Sequence, residues 1–352
     1  MDGISATREV EDSQRAVPWS IKLPGAHRGK FRKMTRTRST KSPLTKKAHI
    51  KHVGITEKTL KKYKYAVSRF FEWLRKNGEE MPNDLEELDN IASEFVNELY
   101  QDDRPVGWAS EFACGLKKLY PKCGKRLQIT SAYVKNWQKS IKRVRALPLD
   151  RDVLLAMASI AILKKKVRLA VILLIGFNGL LRANEMIGLT FGAISVLKSH
   201  TLMLTLEDTK GAKRSGEVES VLIRDNSLAQ AIATLKKGRV ATERIYEGTY
   251  RTLAQDIVEM AEELGLKHPN LTSHGIRRGG ARWFFGKSQS YDLTQEHGRW
   301  SSGKSAKAYI NAATAEAGAA SLPPWGEERK LKAIQCLPHL LKRCSKLQGM
   351  GV

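Results

Sequence analysis

From Thr56 onward, apolar side chains recur every three to four residues, the spacing of a single helix face. Residues 56–78 place Leu60, Tyr63, Val67, Phe70, Phe71 and Leu74 on one side and end at Gly78, a residue type that stops helices. The same spacing predicts helices over 88–100 (Leu88, Ile91, Phe95, Leu99), 108–120 (Trp108, Phe112, Leu116, Tyr120) and 131–144 (Tyr133, Val134, Trp137, Ile141). Arg143–Arg151 carries a proline among charges and reads as a linker, with a domain boundary near 147. Beyond it the pattern predicts helices from Asp150 and over 165–178, then switches to strands at 201–207 and 217–224 around a Lys/Gly turn. These belong to a three-stranded antiparallel sheet over 192–224, after which helices resume to Ala317. Pro323 and Pro324 break the chain again. Glu327–Leu341 then sets Leu331, Ile334, Leu337, Leu340 and Leu341 on one face, with Pro338 limiting the first helix to about three turns.

A stripe that short is marginal in isolation and needs a surface to cover. Two surfaces are open to it, its own domain or a neighbouring copy. Residues 1–53 show neither period: after Asp12 no acidic residue appears until Glu57, while twelve Lys and Arg accumulate. This predicts a disordered basic arm, in which Arg28, Lys30, Arg32, Lys33, Arg36 and Arg38 neutralise phosphates without reading bases; an import signal is the other use of such a run. The layout is therefore an arm over 1–53, a helical domain over 54–146, a second domain over 147–317 and a tail helix over 318–352. The fold class is mostly α with a small antiparallel β-sheet (α+β).

Charge changes the picture from fold to partner. The 352 residues hold 61 Lys and Arg against 36 Asp and Glu, a net charge of +25, which favours a polyanion, nucleic acid first. Four cysteines, Cys114, Cys123, Cys336 and Cys344, form no CxxC pair and have no ligand-spaced histidines, so no metal site, cofactor or disulfide framework is expected. That usage fits a reducing, intracellular compartment. The longest apolar run, Leu169–Phe177, is far shorter than the roughly 20 residues of a membrane span.

The densest chemistry lies in Ser273–Tyr309. If Ser273 caps a helix, His274 and Arg277 fall at i and i+3 on one face and aim an imidazole and a guanidinium at the same anion. Gly298, Arg299 and Trp300 form a turn-like GRW, two serines follow as helix-start candidates, and Tyr309 stands nine residues after the tryptophan. HxxR, then GRW, then Tyr resembles the catalytic end of the tyrosine recombinase (phage-integrase) family. Upstream, GFNGLLRANEMIGLTFGAI resembles the family's first box, with Arg182 opening a short helix and Glu185 three residues later. On the hairpin, Lys210 takes the place of the family's lysine, with Lys213 and Arg214 as near alternatives. The helical domain resembles the SAM-like core-binding domain of that family.

The resemblance implies a site-specific recombinase or integrase that cleaves and rejoins double-stranded DNA through a 3′-phosphotyrosyl bond, without metal or ATP. It implies two domains closing around a duplex, self-association into a synaptic tetramer, and a tail helix over 318–352 that reaches a neighbouring copy. Tyr309 would be the nucleophile, Arg182 and Arg277 the grips on the non-bridging oxygens, His274 the base and Lys210 the acid. Trp300 stands where the family carries histidine or, in a minority, tryptophan; its indole N–H can donate to a phosphate oxygen but cannot transfer a proton. His297 is twelve residues before Tyr309, out of register, and reads as a turn or surface residue. Two alternatives share the fold. A type IB topoisomerase usually carries its tyrosine in SKxxY, whereas Ser305, Ala306, Lys307, Ala308 and Tyr309 stand here. A non-catalytic DNA-binding protein would have lost a box residue.

Overall fold

A computed structural model describes residues 54–82, 84–142, 145–197, 201–207, 209, 216–315 and 321–347. The basic arm, Lys210, Lys213 and Arg214 lie outside these residues. The chain divides into two compact units between Arg143 and Val144.

The first unit holds α1 (Glu57–Lys76), α2 (Leu85–Gln101), α3 (Val106–Leu119) and α4 (Gln128–Ser140). Thr56 caps α1 through its side chain and Gly78 follows the end at φ +68°, so both ends are set by local chemistry. The predicted stripes meet in one core: Phe70, Phe95 and Phe112 pack with ring centroids 4.9 to 5.4 Å apart. Tyr133 and Ile141, expected on the α4 stripe, are instead exposed, because the helix stops at Ser140 and turns Val134 and Trp137 inward. Asp89 of α2 is buried; its carboxylate accepts from the backbone N–H groups of Ile129 (2.8 Å) and Thr130 (2.9 Å). It therefore supplies, from another helix, the N-terminal cap that α4 lacks in its own sequence.

The second unit contains α5 (Arg151–Leu163), α6 (Val167–Asn178), α7 (Ala183–Gly188), β1 (Ile194–Val196), β2 (Thr201–Leu206) and β3 (Glu219–Arg224). It continues through α8 (Asn226–Lys236), α9 (Tyr250–Glu262), α10 (Ser273–Ser288), α11 (Tyr291–Gly298), α12 (Gly303–Ala315) and α13 (Pro324–Leu347). The sheet is antiparallel in the order β1-β2-β3, with Met203 opposite Leu222 and Leu204 opposite Val221. Helices α5 and α6 are apolar around nearly their whole circumference because other helices cover them on all sides.

Leu147 and Leu149, on either side of Pro148 in the stretch read as a linker, are buried against α10. Leu149 donates its N–H to the Gly275 carbonyl at 3.1 Å. The tail is one 24-residue helix with Pro338 inside it, and it packs in cis on α5 and α8. Ala333, Leu337 and Leu341 join the main core, and Ser159 Oγ donates to the Ala333 carbonyl at 2.7 Å. An interior proline costs about 3 kcal/mol. Burying two leucines restores a comparable amount at about 1.5 to 3 kcal/mol each, and Pro338 itself faces solvent. Leu331, assigned to the apolar stripe, is exposed. Among the described residues no helix is long and apolar enough to cross a membrane.

Candidate active site

The site is built where the end of α6, the start of α10 and the start of α12 come together. Helix α10 begins at Ser273, with Thr272 as its N-cap, one residue earlier than the expected cap. Its SHGIRRGGA sequence lets it lie unusually close to its neighbours: a Cβ at Gly279 would collide with the Leu149 carbonyl, and one at Gly280 with the Phe177 carbonyl. Those glycines permit the backbone approach that brings His274 and Arg277 under α12. Ser302 accepts from the Ser305 N–H at 3.3 Å and starts α12, as the twin serines suggest. Leu180, Ala281, Trp300 and Ala306 form a small buried cluster against which Tyr309 packs, so the tyrosine is held at its ring and half-buried.

Its hydroxyl reaches His274: Tyr309 Oη and His274 Nε2 are 2.8 Å apart, with the rings at 69°. Solvent reaches the imidazole, yet burial of its inner side and the nearby Arg277, Arg278 and Arg182 charges push its pKa below the ordinary histidine value. The neutral ring therefore prevails at neutral pH. With a proton on Nδ1, its Nε2 accepts from the tyrosine O–H.

Arg277 is among the largest fully buried side chains of the described residues, 1% exposed. Its Nη1 donates to the Leu180 carbonyl and its Nη2 to the Gly298 carbonyl at 2.5 Å. The guanidinium stacks over the Trp300 ring at 4.7 Å and lies 5.9 Å from the Tyr309 ring centroid. Burial, then the Arg182 and Arg299 charges, bring its pKa down to about 10, still fully cationic at neutral pH. One hydrogen on each terminal nitrogen is committed to the backbone, which leaves a second hydrogen on each. Gly298 must be glycine because a Cβ there would enter the Trp300 indole.

Arg182 is the N-cap of α7, and Glu185 folds back on it. The carboxylate accepts from the Arg182 N–H at 2.8 Å and from Nη1 at 2.6 Å. Arg182 keeps about a third of its side chain open to solvent, while Glu185 is 6% exposed.

Three groups, Arg278 buried and His297 and Arg299 half-buried, escaped the sequence reading. His297 is not a turn or surface residue: it stacks on Phe284 at 4.2 Å, and its Nε2 sits 2.7 Å from the Asn178 carbonyl. Arg299 donates to Glu185 Oε2 at 3.0 Å and to the Leu180 carbonyl at 3.3 Å. Arg278 donates to the Ala146 carbonyl and ties down the segment after the domain boundary. Arg277, Arg299 and His297 thus all meet carbonyls of residues 178–180, where α6 ends and its dipole is negative. The basic residues GRW and HGR carried a signal, but local spacing could not show which carbonyls they would meet. Among the described residues no group of three or more His, Cys, Asp or Glu side chains could hold a metal ion.

No protein-family model matches the sequence, and no curated protein matches it. Solved structures do. The chain is similar to the XerH site-specific recombinase bound to palindromic difH substrate in a post-cleavage complex, at 14% identity and a TM-score of 0.51, over 73% of this chain and 77% of that one. It is also similar to XerH in the pre-cleavage complex with difH, at 16% identity and a TM-score of 0.50, over 71% and 74% of the two chains. With its mostly helical second unit, its three-stranded antiparallel sheet and the Tyr309–His274 pair beside buried arginines, the chain has the tyrosine-recombinase fold.

Proposed function

We propose that this chain is a site-specific DNA recombinase or integrase acting through Tyr309. The observation that carries the reading is the Tyr309–His274 contact of 2.8 Å, set among cationic side chains whose charges reach the imidazole. Tyr309 Oη gives its proton to His274 Nε2 and attacks the scissile phosphorus; the O–P bond forms as the bond to the 5′ oxygen breaks. The leaving 5′ oxygen takes a proton from Lys210, the role the family resemblance suggests. Attack by a 5′ hydroxyl of another strand reverses the step. One phosphoester replaces another, so no ATP is consumed.

Arg182 supplies the solvent-facing cation for the non-bridging oxygens, and Arg277 supplies charge from beneath while holding the Leu180 and Gly298 carbonyls in place. Arginine serves here because it stays charged and binds phosphate with a fork of donors. Double-stranded DNA is the partner, with the arm residues Arg28 to Arg38 adding sequence-independent affinity. Strand exchange needs several copies on DNA, a synaptic tetramer in this reading. The α13 face that buries Leu337 and Leu341 is covered in cis by α5 and α8.

Tyr309→Phe removes one oxygen and leaves the ring packing. On nicked duplexes drawn from DNA flanking the gene, the wild-type chain should form a denaturation-resistant protein–DNA adduct, and the variant should bind the same duplexes without forming it. An adduct persisting in the variant would exclude Tyr309 as the nucleophile.

A further inference from the structure

The geometry points to Arg299 as a positioning residue, which leaves the positive field of Arg182 available to a phosphate by offsetting the carboxylate of Glu185. The inference rests on the phosphoryl-transfer reading above and adds a residue to it.

Glu185 is buried and accepts from Arg182 on both of its oxygens, once from the backbone and once from the guanidinium. Left alone with that partner, a buried carboxylate would cancel the Arg182 charge at a site whose task is to bind an anion. Arg299 alters this. Its side chain is 7% exposed, and its Nη2 donates to Glu185 Oε2 at 3.0 Å while Nη1 lies 3.8 Å from Glu219 Oε2. Three guanidiniums, Arg182, Arg277 and Arg299, then face two carboxylates, Glu185 and Glu219, leaving one net positive charge among these described residues. Without Arg299 the same group is neutral.

The backbone permits a clean substitution at this position. Arg299 sits at φ 53°, ψ 47°, the left-handed region that glycine adopts freely and other residues occupy at some cost. It is the C-cap of α11, a position where the chain also sets Gln289 at the end of α10, so glycine fits there without strain. Glu219 is the first residue of β3, opposite Leu206, so Arg299 also spans from α7 to the end of the β2–β3 ladder.

The test uses the full chain and two readouts: the rate of covalent adduct formation on nicked duplex, and stabilisation of the protein by inorganic phosphate in thermal unfolding. Arg299→Gly suits the left-handed backbone and should fold. It should slow adduct formation on the order of ten- to a hundredfold and weaken phosphate-dependent stabilisation. Arg299→Lys, which keeps charge but loses the fork, should fall between. The deciding variant is Glu185→Gln in the Arg299→Gly background: removing the uncompensated carboxylate should recover most of the loss in both readouts. Wild-type behaviour of Arg299→Gly, or a loss that Glu185→Gln does not recover, overturns the proposal. If the wild-type chain forms no adduct yet the phosphate readout follows the predicted order, the phosphotyrosyl reading fails while the role of Arg299 stands.

Discussion

Two buried clusters of this molecule have opposite chemistry. In the first unit Phe70, Phe95 and Phe112 close on one another, and a side chain such as Phe70 is fully buried. Around Leu180, the buried groups include Arg277 and Arg299, tied to carbonyls and a carboxylate. Aromatic burial is favourable at about 25 cal/mol per Å² of apolar area. Burying a guanidinium is unfavourable until donors and charge are matched, and even then a hydrophobe of similar shape is often as stable. The aromatic cluster therefore reads as stability, whereas the charged one is retained at the expense of stability and reads as function.

That contrast can be broken from either side. The largest effect should come from Phe70→Ala, which opens a cavity and costs about 3–5 kcal/mol; urea unfolding of the full chain measures it. Arg277→Met fills a similar volume without donors. It should abolish adduct formation while costing less stability than Phe70→Ala, about 1–3 kcal/mol from the carbonyls left short of a donor. A stability loss equal to that of Phe70→Ala would make Arg277 a structural residue and dissolve the contrast.

A polar group also sits in the aromatic unit, and it tests the rule there. Asp89 holds the start of α4 through its bonds to Ile129 and Thr130. Asp89→Ala should cost about 1–3 kcal/mol in the same unfolding experiment without altering adduct chemistry per folded molecule.

The pH dependence sharpens the charged side. His274 and His297 both have pKa values lowered by burial first, with neighbouring arginine charges adding to it. A group with a depressed folded pKa is neutral in the folded state and takes up a proton more readily when unfolded. Its contribution to stability is complete above the ordinary histidine value and is lost as pH falls through the folded one. Stability should therefore decline below about pH 6.5, and the acid limb of adduct formation should lie below that value, since His274 stays unprotonated there. An acid limb above it would remove His274 as the base. The smallest effect belongs to the surface: Lys332→Ala breaks an exposed i, i+4 pair with Glu328 and should change stability by less than about 0.5 kcal/mol.

Much of this was present in the linear chain, for a physical reason. Helix faces and strand alternation are set by neighbours three, four or two residues away, so α1 to α3 and the β2–β3 hairpin were legible as patterns. Arg182, His274, Arg277, Trp300 and Tyr309 were singled out in that order by the family resemblance, not by spacing alone. What tertiary structure alone decided are the pairings between distant segments. Asp89 caps a helix 40 residues away, His297 meets the Asn178 carbonyl, Arg299 meets Glu185, and α13 finds its apolar face covered by α5 and α8. The tail was expected on a neighbouring copy from the family resemblance, since a short stripe needs a surface and does not say whose. A buried polar group is likewise satisfied by whichever partner the fold brings near, and that partner is set by the packing of whole helices rather than by the spacing of residues along one of them.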